Sequence, residues 1–149
     1  MAAQAWTVYN LSKKKIGNAT IDLSGTVFRI SLYKSSSNFA TLTHSVQNDL
    51  TNELTEANGY SSTGKALTSE VWTQGASAKQ YKFDADDVVW TATGGNITSI
   101  KGAVIWISAA ASANRHVLCF SSLTSAEFTL STGNTLTIQM NASGILTLT

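Results

Sequence analysis

The sequence predicts a mainly β protein: a single-domain antiparallel β-sandwich or barrel-like (jelly-roll-like) fold, with a short N-terminal helix and one further short helix. Three observations predict it. Runs rich in β-branched and aromatic residues fill the second half of the chain, separated by turn signals about every 8 to 12 residues. These runs do not alternate with helical stretches, as stacked β–α units would. Finally, 149 residues that are 43% hydrophobic are long enough for one self-sufficient core, and neither an internal repeat nor a linker divides residues 1–149.

The elements follow in order. Residues 1–6 read as a flexible arm. Residues 7–22 carry helical spacing, with Val8, Leu11, Lys15, Ile16 and Ala19 near one face, and Lys13, Lys14 and Lys15 form a basic cluster on a solvated face. Asp22-Leu23-Ser24-Gly25 is a turn. Residues 26–33 are a strand, with Phe28, Ile30 and Leu32 on one side of the alternation. A polar loop over 34–38 follows. Residues 45–54 permit a short helix through Val46, Asp49 and Leu50, with Ser45 as its N-cap and Asn48 three residues on. Asn58-Gly59 and residues 61–64 punctuate a loop around Tyr60. Strands are then expected over 66–73, 80–83, 88–92, 97–108, 115–121, 127–130, 135–140 and 145–148, with acidic residues Asp84, Asp86 and Asp87 in one turn and Gly94-Gly95 in another.

Composition narrows the function. Only 13% of residues are charged, the net charge is +1, proline is absent, and 20 Thr with 19 Ser supply about a quarter of the chain. No large basic field exists to hold a phosphate backbone, so no nucleic-acid partner is expected. No apolar run approaches the roughly 18 residues that span a bilayer, and the N-terminus lacks an export signal, so no membrane partner is expected either. The Asn-x-Ser/Thr sequons at Asn10, Asn18, Asn96 and Asn141 arise by chance in so Ser/Thr-rich a chain.

Catalytic chemistry finds little to work with. Cys119 lies in an apolar strand, where a buried, inert thiol is expected. The two histidines and one cysteine are too few for a structural zinc site. His44 sits in a polar stretch and His116 beside a strand, and no Gly-x-Ser-x-Gly elbow accompanies either. The acidic turn lacks the glycine and the later glutamate of a calcium loop, so a charged turn is the better account. The chain is read as a non-enzyme with no catalytic residues, metal or cofactor.

What remains is surface. Edge strands are commonly guarded by proline or charge, and this chain is short of both, which points to edges that pair with copies of the chain or with a neighbour. Of the four tryptophans, Trp90 and Trp106 fall in apolar strands and belong to the core, whereas Trp6 and Trp72 are interface candidates.

The opening Val8-Tyr9-Asn10-Leu11-Ser12 with its lysines and the strand 26–33 resemble the start of small virion structural proteins of tailed bacteriophages. Gly59-Tyr60, Gly64-Lys65-Ala66-Leu67, the acidic turn leading to Trp90, and the strand ending in Trp106 are similar to further motifs of that family in the same order. Gly133 to Ile138 and Gly144 to Leu148 resemble its closing hairpin. Ser61-Ser62-Thr63 departs from the family's more glycine-rich loop. The resemblance implies a head decoration (cement) protein on the capsid surface, made in the host bacterial cytoplasm, with the major capsid protein and copies of itself as partners. It adds Tyr9 and Tyr60 to Trp6 and Trp72 as interface candidates. A tail, neck or fibre-attachment role is the alternative, and a carbohydrate-binding β-sandwich using Trp6 or Trp72 the third.

Overall fold

The structure, a computed structural model, describes residues 5–149. The short β1 (Thr7–Val8) leads into α1 (Asn10–Gly17) and then β2 (Phe28–Tyr33). After a long loop come β3 (Lys65–Ala66), β4 (Val71–Gln74), β5 (Tyr81–Asp84), β6 (Val88–Thr91), β7 (Ile97–Ile100) and β8 (Gly102–Ile107). The chain ends with β9 (Val117–Ser122), β10 (Phe128–Leu130), β11 (Thr135–Ile138) and β12 (Leu146–Leu148). All pairings are antiparallel. Five strands form one sheet in the order β1-β9-β8-β2-β3, three form another as β12-β5-β4, and β10-β7 and β11-β6 make two ribbons. The architecture is the mainly β, sandwich-like one that the strand pattern predicts.

The five-stranded sheet is buried on both faces. Phe28, Ile30 and Leu32 of β2 join Ala103, Ile105 and Ile107 of β8 on the inner face, in the main core with Phe83, Trp90 and Ile138. The alternate residues Tyr33, Val104 and Trp106 turn outward and form a second cluster with Tyr9, Phe39 and Phe120. A period-2 strand with apolar residues at both parities needs cover on both faces. Here residues 34–54 roof the outer one. Phe39 reaches the sheet because residue 102 is glycine: a Cβ there would collide with the Phe39 ring.

The N-terminal helix is shorter than its periodicity predicts, since β1 pairs with β9 and Ala19 turns to a positive φ of 59°. Its buried side is also not the one expected. Leu11 is exposed and Ser12 is buried, its hydroxyl donating to the Val117 carbonyl. Lys15 leaves the solvated cluster, its ammonium donating to Ser45 Oγ at 2.7 Å and His116 Nδ1 at 2.8 Å. The second helix shrinks to one 3-10 turn, Gln47–Asp49, and the capping runs in reverse. Instead of a Ser45 hydroxyl, the Asp49 carboxylate accepts the Ser45 and Val46 N–H groups at 2.9 and 3.0 Å.

Three strand expectations also change, the first being 66–73, which divides between β3, paired with β2, and β4, paired with β5 in another sheet. The run 97–108 breaks at Lys101, because β7 pairs with β10 while β8 runs between β2 and β9. Lys101 anchors the crossing, its N–H on the Tyr33 carbonyl at 2.9 Å. The two final strands are not a hairpin: β11 pairs with β6 and β12 with β5.

Candidate functional site

One end of the molecule carries a trough floored by apolar side chains. A central groove of about 320 Å³ shares Val8 and Leu146 with one of about 340 Å³ and Ile16 with another of about 320 Å³. Two of the grooves run between β1 and α1 on one side and β12 on the other, and the third lies between the end of α1, the turn after it and Trp72 of β4. Both β1 and β12 end their sheets, so each has one side unpaired. Trp6 lines one groove and Trp72 another, so the fold unites the two tryptophans that the sequence nominates.

Strand register explains why this surface is apolar. Trp72, Phe83 and Leu146 lie opposite one another across the three-stranded sheet, as do Gln74, Tyr81 and Leu148. Side chains two residues apart share a face, so the face that carries Phe83 into the core continues past the core as Tyr81 and Leu148. These are 48% and 52% exposed. The Trp72 and Tyr81 rings pack at 5.9 Å between centres. Trp6 is half-buried against the main core, and its indole Nε1 is buried with no hydrogen-bond partner among the described residues. Of the expected arm 1–6, residues 1–4 lie outside the described residues.

Tyr9 and Tyr60 are not surface residues, which corrects their place among the interface candidates. Tyr9 is fully buried in the outer cluster, and its hydroxyl donates to the Phe39 carbonyl. Tyr60 plugs the main core from its loop. Its hydroxyl donates to Glu53 Oε1 at 2.7 Å and accepts the Leu32 N–H at 3.0 Å. Burial raises both phenol pKa values. The loop can turn this way because Asn58 and Gly59 take positive φ of 56° and 92°, the latter against the Thr91 carbonyl. Sequence reasoning sees an aromatic residue in a polar loop; only the long-range contact to β2 reveals a plug.

The titratable groups serve the scaffold. His116 accepts from Lys15 through Nδ1, and burial, helped by the lysine's charge, holds its pKa below the usual value. His44 lies on the Asn38 carbonyl at 3.1 Å and edge-on to Tyr9. In the acidic turn, Asp84 pairs with Lys82 at 2.8 Å, Asp86 accepts the Ser69 hydroxyl at 2.6 Å, and Asp87 accepts the Met140 N–H at 2.8 Å. Burial raises the pKa of the Cys119 thiol and of the Glu53 carboxyl. Among the described residues, no three His, Cys, Asp or Glu gather as metal ligands, and no helix is long and apolar enough to cross a membrane.

The trough residues that sequence reasoning missed are Val8, Ile16 and Leu148, and beside them Tyr81 stands exposed on the same sheet face as Leu148. A signal was present in part: residues 81–83 and 146–148 keep one apolar parity beyond the length the core needs. Compared with protein-family models, with curated proteins and with solved structures, the chain matches none.

Proposed function

We propose that the protein is a non-enzymatic structural component of a tailed-bacteriophage virion, a head decoration protein that binds and stabilises the major capsid shell. The observation that carries this reading is the trough: an apolar floor between two strands that each have an unpaired edge, with Trp6 in one adjoining groove and Trp72 in the other. Such an edge offers N–H and C=O groups to an added strand, while the floor takes its alternate side chains. Wide apolar patches on a lone domain mark sites of contact with other protein. The resemblance of the motif order to small phage virion proteins supplies the identity of that contact. Many copies on a repeating shell let modest individual contacts hold, especially when the protein binds as a symmetric oligomer.

Purified virions of the phage that encodes the protein provide the test. Hundreds of copies per particle on a stained gel, with density for the protein over the major capsid subunits in an image reconstruction, are the expected result. A handful of copies at the neck or tail would replace this reading with the tail or fibre-attachment one. Absence from the particle would overturn both.

A further inference from the structure

The chain contains two arginines, Arg29 and Arg115, and the fold brings both to one open cavity of about 450 Å³. Arg29 lies on β2 and Arg115 just ahead of β9, with Thr63, Trp106 and Ser108 between them on the cavity wall. This cavity shares no residue with the trough.

Each guanidinium is held from behind. Arg29 Nε donates to the Thr63 carbonyl at 2.6 Å and Nη2 to the Gly64 carbonyl at 2.9 Å. Arg115 Nε donates to the Ala109 carbonyl at 2.9 Å, and its guanidinium carbon stands 5.7 Å from the centre of the Trp106 ring. Trp106 is fixed in turn, its indole donating to Ser31 Oγ at 3.0 Å. Arg29 Nη1 and both Nη atoms of Arg115 keep donors with no protein acceptor among the described residues. Among the described residues, neither arginine is in an ion pair. No acid lines the cavity among the described residues; the Ser62 hydroxyl on its wall donates to Glu56 Oε2 at 3.1 Å.

Two pre-oriented guanidinium groups with free donors form a receptor for an oxyanion, because the planar fork matches two oxygens at once. The cavity is of small-molecule size and holds much more than a bare ion. Its remaining wall combines the hydroxyls of Ser62, Thr63 and Ser108 with the Trp106 indole, a lining that suits a hydroxyl-bearing ring better than a fatty acid. We propose that it binds a small carboxylate-bearing sugar of the hexuronate class, the carboxylate on Arg29 and Arg115 and the sugar hydroxyls on Thr63 and Ser108. This site goes beyond the trough and stands whether or not the protein decorates a capsid.

Titration of the full chain with glucuronate, followed by NMR shifts or calorimetry, tests it, with glucose and inorganic phosphate as controls. Saturable glucuronate binding in the millimolar range is expected, with both controls weaker by about tenfold or more. Arg115→Gln should weaken glucuronate by about tenfold or more, since a charge-assisted pair is lost. Arg115→Lys, which keeps the charge but not the fork, should fall between. Because Arg29 also supports the 63–64 backbone, the second probe is Ser108→Trp, which fills the exposed mouth and should abolish binding at unchanged melting temperature. Any of four results overturns the proposal: no saturable glucuronate binding, equal binding of glucose, phosphate binding as tightly as glucuronate, or binding that survives both Arg115→Gln and Ser108→Trp.

Discussion

The outer face of the five-stranded sheet and the trough beside β12 both gather aromatic side chains, and they treat them in opposite ways. On the outer face, Phe39, His44 and Leu50 from residues 34–54 pack against Tyr9, Tyr33 and Phe120, Arg115 stands over the Trp106 ring, and the Tyr9 hydroxyl and Trp106 indole each have a partner. In the trough, Trp72 and Trp6 stay half-buried, Tyr81 and Leu148 face solvent, and the Trp6 indole has no partner among the described residues. Similar residue types thus do different work. Where a loop closes over the face, the aromatics contribute stability; where the sheet face overruns the core, they remain available for contact. Among the described residues, no loop covers that second surface.

Substitutions can break this contrast, beginning where the effect should be greatest. Trp106→Ala empties the buried outer face and removes the indole that donates to Ser31 Oγ, and should lower stability by about 3–5 kcal/mol in denaturant unfolding. A loss under about 1 kcal/mol would show that the roof collapses to fill the space. Tyr60→Phe leaves the Leu32 N–H and a buried Glu53 oxygen unsatisfied, which should cost about 1–3 kcal/mol by the same measurement.

Smaller effects come from titration. Protonation of His116 is disfavoured in the folded state, so its contribution to stability is present above the ordinary histidine range and is lost as pH falls through the unfolded value, about 6.5. Thermal melts between pH 8 and pH 5 should show this decline, and His116→Gln should flatten it. Glu53 has the opposite sign. Its raised carboxyl favours the folded state below the ordinary carboxylate range, and that advantage fades as pH rises through the folded value. Glu53→Gln should therefore gain on the parent chain from pH 4 to pH 7; a constant difference between the two would contradict the assignment.

The smallest effect on folding belongs to the open region. Leu148→Asp, at an exposed edge position, should change stability by no more than about 0.5 kcal/mol. The same substitution should abolish association with capsid particles in co-sedimentation, because it sets a charge on the apolar floor. Retained binding would move the contact surface away from the trough.

Much of the scaffold was legible in the chain. The alternation of Phe28, Ile30 and Leu32, the apolar parity of β8, and the turns at Asp84–Asp87 and Gly94-Gly95 follow from local rules of side-chain period and turn chemistry. Trp90 and Trp106 were placed in the interior by the same logic, and both are 3% exposed. The interface was half legible. Trp6 and Trp72 fall on the trough, whereas Tyr9 and Tyr60 pack inside, because a tyrosine in a polar segment looks the same whether its hydroxyl meets water or Glu53.

The sequence by itself determined the class of fold, the many short strands and the lack of edge protection, since these depend on residue type and on spacing between near neighbours. Only the tertiary structure decided which strands pair, how Lys15 meets His116, and that Arg29 and Arg115 line one cavity. Those contacts join residues distant in the chain, and their selection rests on burying both faces of one sheet at once. No local period encodes that choice; it emerges when the whole chain must cover its apolar surface and satisfy its buried polar groups together.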